Sequence, residues 1–171
     1  MTDVIPERIR WAVEMLTVHP DDRLLEIGGG PGFAASLVCE RLDRGSLLLI
    51  DRSATAIERT RRRNPQHLAS GRLVLETVDL ADFDPGNAKF DKVFAVNINV
   101  FWTTPATEEL ARIRRALDHD GRLFLSYETP SAARARQASA RVVDALHGNG
   151  FAEPQLLSRS TTLVGCVARV A

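Results

Sequence analysis

The chain has no surplus of either charge. Its 22 Lys and Arg balance 22 Asp and Glu, so nothing in the overall balance steers it to nucleic acid. No apolar run approaches the roughly 18–20 residues of a membrane span. The start, from Met1 to Glu7, lacks the charged lead and apolar core of a secretion signal. Its two cysteines, Cys39 and Cys166, have no His or Cys beside them for a metal site and read as small buried hydrophobes in a reduced, cytoplasmic protein. The chain also lacks repeats, low-complexity tracts and linkers. What remains, 171 residues of which 44% are hydrophobic, fits a single globular domain with one substantial core.

The most informative stretch is Leu24-Leu25-Glu26-Ile27-Gly28-Gly29-Gly30-Pro31-Gly32-Phe33-Ala34. It reads as a strand, an acid near its end, a glycine loop and the start of a helix, with the spacing E-x-G-x-G-x-G. Glycine tolerates positive φ and lets a ligand lie against the backbone. A following helix would offer unpaired N–H groups. Such a loop cradles a nucleotide-like cofactor. It is not the dinucleotide fingerprint, because the third glycine of G-x-G-x-x-G falls on the bulky Phe33. It is not a phosphate-binding G-x-x-x-x-G-K loop either, since no Lys or Arg occurs between Arg23 and Arg41.

Strands and helices alternate along the whole chain. A helix near Val4 to Thr17 carries Ile5, Ile9, Ala12 and Leu16 on one face. Strand one, Arg23–Ile27, leads to a helix over Gly32–Leu42. Strand two is Leu47–Ile50, with a helix over Ala54–Arg63. Strand three is Arg72–Val78, and the segment Ala81–Phe90 has room for one helical turn at most. Strand four, Lys92–Val96, precedes a helix presenting Leu110, Ile113 and Leu117 inward. Strand five is Arg122–Tyr127, followed by a helix over Ser131–His147. A hairpin of Pro154–Ser158 and Thr162–Val170 closes the chain. This pattern predicts a single-domain α/β three-layer sandwich, Rossmann-like, with a mostly parallel sheet. The apolar strands one, two, four and five belong at its centre, and the polar third and sixth at its edges.

In open α/β sheets, ligands lie beyond the carboxyl ends of the strands. That rule collects Glu26 with Gly28, Gly29, Gly30 and Gly32, then Asp51-Arg52, Asp79-Leu80, and Asn97 to Trp102. Asp51 stands about 20 residues past the loop, where an acid can accept both ribose hydroxyl hydrogen bonds. The same residues also serve as helix caps or turn formers in other proteins. All four histidines (His19, His67, His119, His147) precede strands and fall at the opposite edge, which leaves no evident histidine base. The arginines Arg59 and Arg61 to Arg63 close a helix and read as a solvated face.

The glycine spacing, together with the acids at successive strand ends, resembles class I S-adenosylmethionine-dependent methyltransferases, and the likeness runs over nearly the whole chain. It implies a seven-stranded sheet ordered 3-2-1-4-5-7-6 with one antiparallel strand from the closing hairpin. It further implies S-adenosylmethionine as cofactor. Glu26 would then lie near the methionine amine, Asp51 would bind the ribose, Asp79 would meet the adenine amino group, and Leu80 would offer its N–H. Asn97 would contact the methionine part. No N-P-P-[YF] follows strand four, so nothing indicates methylation of a nucleobase or amide nitrogen. Asn99, Trp102, Tyr127 and Glu128 are the candidate substrate residues, Arg159 a further site-facing one from the hairpin, and no catalytic residue is assigned.

Methyl transfer from a sulfonium needs mainly alignment, worth up to about 7–11 kcal/mol, and no metal. The expected acceptor is a small molecule. Residues 1–20, a partner subunit in a homo-oligomer, or nothing at all must cover it. Two alternatives stay open: a non-catalytic binding protein on the same fold, marked by a blocked pocket beyond Asn97–Trp102, and an NAD(P)-binding oxidoreductase. The latter is disfavoured by Phe33 and by the absence of a Tyr-x-x-x-Lys pair.

Overall fold

The computed structural model describes residues 4–171. Helix α1 (Glu7–Leu16) precedes β1 (Arg23–Ile27), α2 (Phe33–Cys39), β2 (Ser46–Asp51), α3 (Ala54–Arg63), α4 (Pro65–Ala69) and β3 (Leu73–Thr77). The second half comprises β4 (Phe90–Val96), α5 (Val100–Thr103), α6 (Thr107–Ala116), β5 (Leu117–Glu128), α7 (Ala132–Gly148), β6 (Phe151–Ser158) and β7 (Leu163–Val170). The strands form one sheet in the order β3-β2-β1-β4-β5-β7-β6. Pairing is parallel from β3 across to β5, and β7 runs antiparallel to both β5 and β6. This is the expected α/β sheet, with the polar third and sixth strands at its edges.

Side chains alternate across each strand, so each central strand feeds two cores. Leu25, Ile27, Ile50, Val93, Ala95, Leu123 and Leu125 face α6 and α7, whose Leu110, Ile113, Val142 and Leu146 cover them. Leu24, Leu47, Leu49, Phe94 and Phe124 face the other way, onto Val13 and Leu16 of α1 and Val38 of α2. Burying a Leu or Phe of this kind contributes about 1.5–3 kcal/mol. Among the described residues no helix is long and apolar enough to cross a membrane.

Several elements differ from the sequence expectation. The second helix is shorter than Gly32–Leu42, because Gly32 takes φ +78° as its N-cap and Glu40 caps its other end. Helix α6 ends at Ala116, and Leu117 opens β5 opposite Phe90. Leu117 is buried all the same, which is why its helical spacing misled. Two short helices were not anticipated. α4 is seeded by Pro65 at its first turn, where a missing N–H costs nothing. α5 is a single turn held by the N–H groups of Trp102 and Thr103 donating to the Asn99 carbonyl, and Pro105 follows it. Strand β5 starts five residues earlier than Arg122, and the hairpin strand β6 begins at Phe151 rather than Pro154.

Candidate active site

The carboxyl ends of β1, β2 and β4 and the loop after β3 surround one cleft of about 470 Å³. It is lined by Ile27, Gly28, Ile50, Asp51, Arg52, Val78, Asp79, Leu80, Asn97, Ile98, Asn99, Val100, Thr103 and Glu109. Strand order reverses between β1 and β4, which is where such sheets bind ligands. Seven residues singled out in the sequence thus meet here: Gly28, Asp51, Arg52, Asp79, Leu80, Asn97 and Asn99. Asn97, Ile98, Asn99 and Val100, just past the end of β4, line the cleft directly.

Asp51 sits half-buried at the end of β2. Its Oδ2 accepts the Gly30 N–H at 3.2 Å, and its Oδ1 accepts the Ser53 N–H at 2.8 Å. Asp79 Oδ1 accepts the Ala81 N–H at 3.1 Å, which shapes the turn after β3. Asn97 takes φ +56°, and its Oδ1 accepts the Glu128 N–H at 2.8 Å. The asparagine thereby ties the ends of β4 and β5 together while its backbone bends along the cleft wall.

Glu26 immediately precedes the cleft-lining Ile27 and is only 4% exposed. Its Oε2 has no hydrogen-bond partner. Burial first, then the nearby Asp51 carboxylate, push its carboxyl up to about 8. A buried acceptor without a donor is costly, and a cationic ammonium is the group that would satisfy it. These acceptors therefore fit a cofactor that carries both a ribose and an amino group.

The glycine loop is braced from α3, which the sequence reading missed. Thr60 Oγ1 donates to the Gly30 carbonyl at 2.9 Å, Arg63 Nε to the Pro31 carbonyl at 2.8 Å, and Asn64 Nδ2 to the Gly32 carbonyl at 3.1 Å. Arg63 also lies over the Phe33 ring, 3.8 Å from its centroid. Arg61 and Arg62 both pair with Glu58 instead, so only the third of these neighbouring arginines braces the loop. A signal was present: Ile57, Thr60 and Asn64 follow helical spacing, and the last two put polar groups where an apolar stripe was due.

Other expected residues lie elsewhere. Gly29, Gly30 and Gly32 shape the loop without lining the cleft. Tyr127 is fully buried in the core, its hydroxyl donating to Ser139 Oγ at 3.0 Å. Trp102 packs on Tyr127 with ring centroids 4.8 Å apart. Glu128 is exposed and pairs with Arg8 of α1 at 3.3 Å, while Arg159 pairs with Glu7 at 3.2 Å. None of these four residues lines the cleft, nor does any histidine. His19 borders a hollow at the opposite edge with Asp22 and Lys92, and His67 is buried. Cys39 and Cys166 are buried, which pushes both thiols up to about 12.

Residues 24–121 match the family model of a methyltransferase domain. The chain belongs to this methyltransferase family. A provisionally named methyltransferase of Bacillus subtilis (strain 168), YrhH, is 26% identical over 158 residues, covering 92% of this chain and 83% of that protein. Among solved structures, an S-adenosylmethionine-dependent methyltransferase from Aquifex aeolicus superposes with TM-score 0.80 at 11% identity, over 95% of this chain and 89% of the other. A geranyl diphosphate methyltransferase in complex with S-adenosylmethionine gives 0.74 at 14% identity, over 96% and 84%. The protein is an S-adenosylmethionine-dependent methyltransferase with the class I fold.

Proposed function

We propose that this chain moves the methyl group to a nucleophile on a small molecule, with cofactor and acceptor meeting at the Gly28–Asn97 end of the cleft. The observation that carries this reading is the gathering of Gly28, Asp51, Arg52, Asp79, Leu80 and Asn97 around one cavity. Asp51 accepts the ribose hydroxyls, Asp79 the adenine amino group, and Leu80 offers its N–H to the ring. Glu26 takes the methionine ammonium, and Asn97 holds the methionine part. When bound, the cofactor supplies a methyl group already activated by a sulfonium. The protein's part is to hold the acceptor in line and exclude water. No side chain is assigned as a base. The uncharged rim residues Asn99 and Thr103 favour a small polar acceptor.

We further propose that residues 1–171 act as one domain with residues 1–20 as its cover; the first three lie outside the described residues. Support comes from the ion pairs Arg8–Glu128 and Glu7–Arg159, which tie the first turn of α1 to the end of β5 and to the hairpin turn. The test is calorimetric titration of the wild type and Asp51→Ala with S-adenosylhomocysteine and, separately, NAD. Binding of the adenosylhomocysteine alone, lost in Asp51→Ala, supports the reading, and a labelled-methyl screen of small amines, thiols and phenols then seeks the acceptor. A folded wild type that binds neither ligand sinks it.

A further inference from the structure

We propose that Thr60 is a positioning residue for the Asp51 carboxylate, acting through Gly30. This rests on the cofactor lying in the cleft of the glycine loop.

Thr60 is completely buried on the inner face of α3. A valine would fill that space without burying a polar group, so the hydroxyl needs a reason. Helical Thr hydroxyls commonly turn back to a carbonyl of their own helix. This one leaves its helix and donates to the Gly30 carbonyl at 2.9 Å. The N–H of the same glycine donates to Asp51 Oδ2 at 3.2 Å. Gly30 is therefore gripped on its carbonyl side by Thr60 and on its amide side by Asp51.

Packing does not fix Gly30. It adopts φ +54°, and no heavy atom beyond its chain neighbours lies within 4 Å of where a Cβ would stand. The two hydrogen bonds hold it instead. Gly32 contrasts with this, since a Cβ there would meet Thr60 Cγ2 at 2.8 Å and Asn64 Nδ2 at 2.9 Å. Asn64, also fully buried, is itself held by Ser36 Oγ at 2.6 Å. Thr60 and Asp51 thus form two jaws of one β2–α3 unit that close on the loop. A carboxylate that accepts two ribose hydroxyls must keep its plane fixed. Gly30 and Ser53 each occupy one lone pair of Asp51, which turns the remaining ones to the cleft.

The test is a double-mutant cycle on S-adenosylhomocysteine affinity, using Thr60→Val, Thr60→Ser, Asp51→Asn and the Thr60→Val/Asp51→Asn pair. Thr60→Val should weaken binding about tenfold in the wild-type background and less than about twofold beside Asp51→Asn, with Thr60→Ser restoring wild-type affinity. A second readout needs no ligand. Amide hydrogen exchange at Gly30 should quicken about tenfold in Thr60→Val while Leu25 in β1 stays unchanged. An equal loss in both backgrounds, or no loss and unchanged Gly30 exchange in a folded Thr60→Val, overturns the role. If the folded wild type does not bind the ligand at all, the cofactor reading falls first and the positioning role with it.

Discussion

Glu26 and Asp51 point to the same face of the sheet from adjacent parallel strands, with Glu26 paired in register to Leu49, two residues before Asp51. Asp51 has two backbone donors, whereas the Oε2 of Glu26 has none. These two acids are thus in different states: one hydrogen-bonded and half-open, the other buried and held neutral to about pH 8.

That contrast sets a pH dependence of stability. The folded value of Glu26 is raised to about 8 from an ordinary 4.5. Between these values the unfolded chain has lost the proton and the folded chain keeps it. Stability is therefore fully present below about pH 4.5 and falls as pH rises toward 8, by about 1.4 kcal/mol per unit. Glu26→Gln removes this slope. At pH 7 it should be more stable than the wild type by on the order of 3 kcal/mol, and near pH 4.5 the two should coincide. Urea unfolding at a series of pH values reads this directly, and parallel curves would refute it.

Cofactor binding should carry the same proton. An ammonium docking at Glu26 favours its ionised form, so calorimetry at pH 7 in buffers of different ionisation heat should show about one proton released per S-adenosylhomocysteine bound. Glu26→Gln should release none. Equal release by both proteins would assign the proton elsewhere.

At Gly32, Thr60 and Asn64 leave no room for a side chain. Gly32→Ala meets a left-handed backbone and two buried side chains within 3 Å, and should cost about 3 kcal/mol or more in urea unfolding. Gly30→Ala meets only the backbone penalty and should cost about 1–2 kcal/mol. Similar costs for the two would show that the contacts with α3 yield easily.

At the opposite edge, Lys92 pairs with Asp22, both side chains largely buried at 13% and 11% exposure. Lys92 also donates to the Thr17 carbonyl at 3.0 Å. Lys92→Met leaves Asp22 buried without its cation and should cost about 3–5 kcal/mol, with Asp22→Asn in the same chain recovering part of it. Ligand affinity, measured in the surviving folded fraction, should not change.

Tyr127→Phe deletes the hydroxyl that meets Ser139 and should cost about 1 kcal/mol. Because the ring lies wholly within the core, methyl transfer and S-adenosylhomocysteine affinity should match the wild type. A large loss of turnover at unchanged stability would return the tyrosine to the site.

Some of these relationships were legible in the residues alone. The periods of apolar residues gave β1 and α3 to the residue, and strand polarity put β3 and β6 at the edges. Strand ends gathered Asp51, Asp79 and Asn97 at one edge, since a parallel strand can deliver its carboxyl end to only one side. The one-turn α5 escaped because its bonds run from Asn99 to Trp102 and Thr103, too short a span to show a period. Thr60 and Asn64 escaped because i, i+4 polar residues on a charged helix look like a solvated face.

The sequence by itself determined the alternation of strands and helices, the glycine spacing and the acids that follow the strands, because these depend on local backbone geometry and residue order. Only the tertiary structure decided that Glu26 is buried with its Oε2 unpartnered, that Tyr127 turns into the core, and that Thr60 reaches across to Gly30. Each of those outcomes depends on what packs against a side chain from far along the chain. Burial and hydrogen-bond partners, unlike periodicity, come into being only when the layers close.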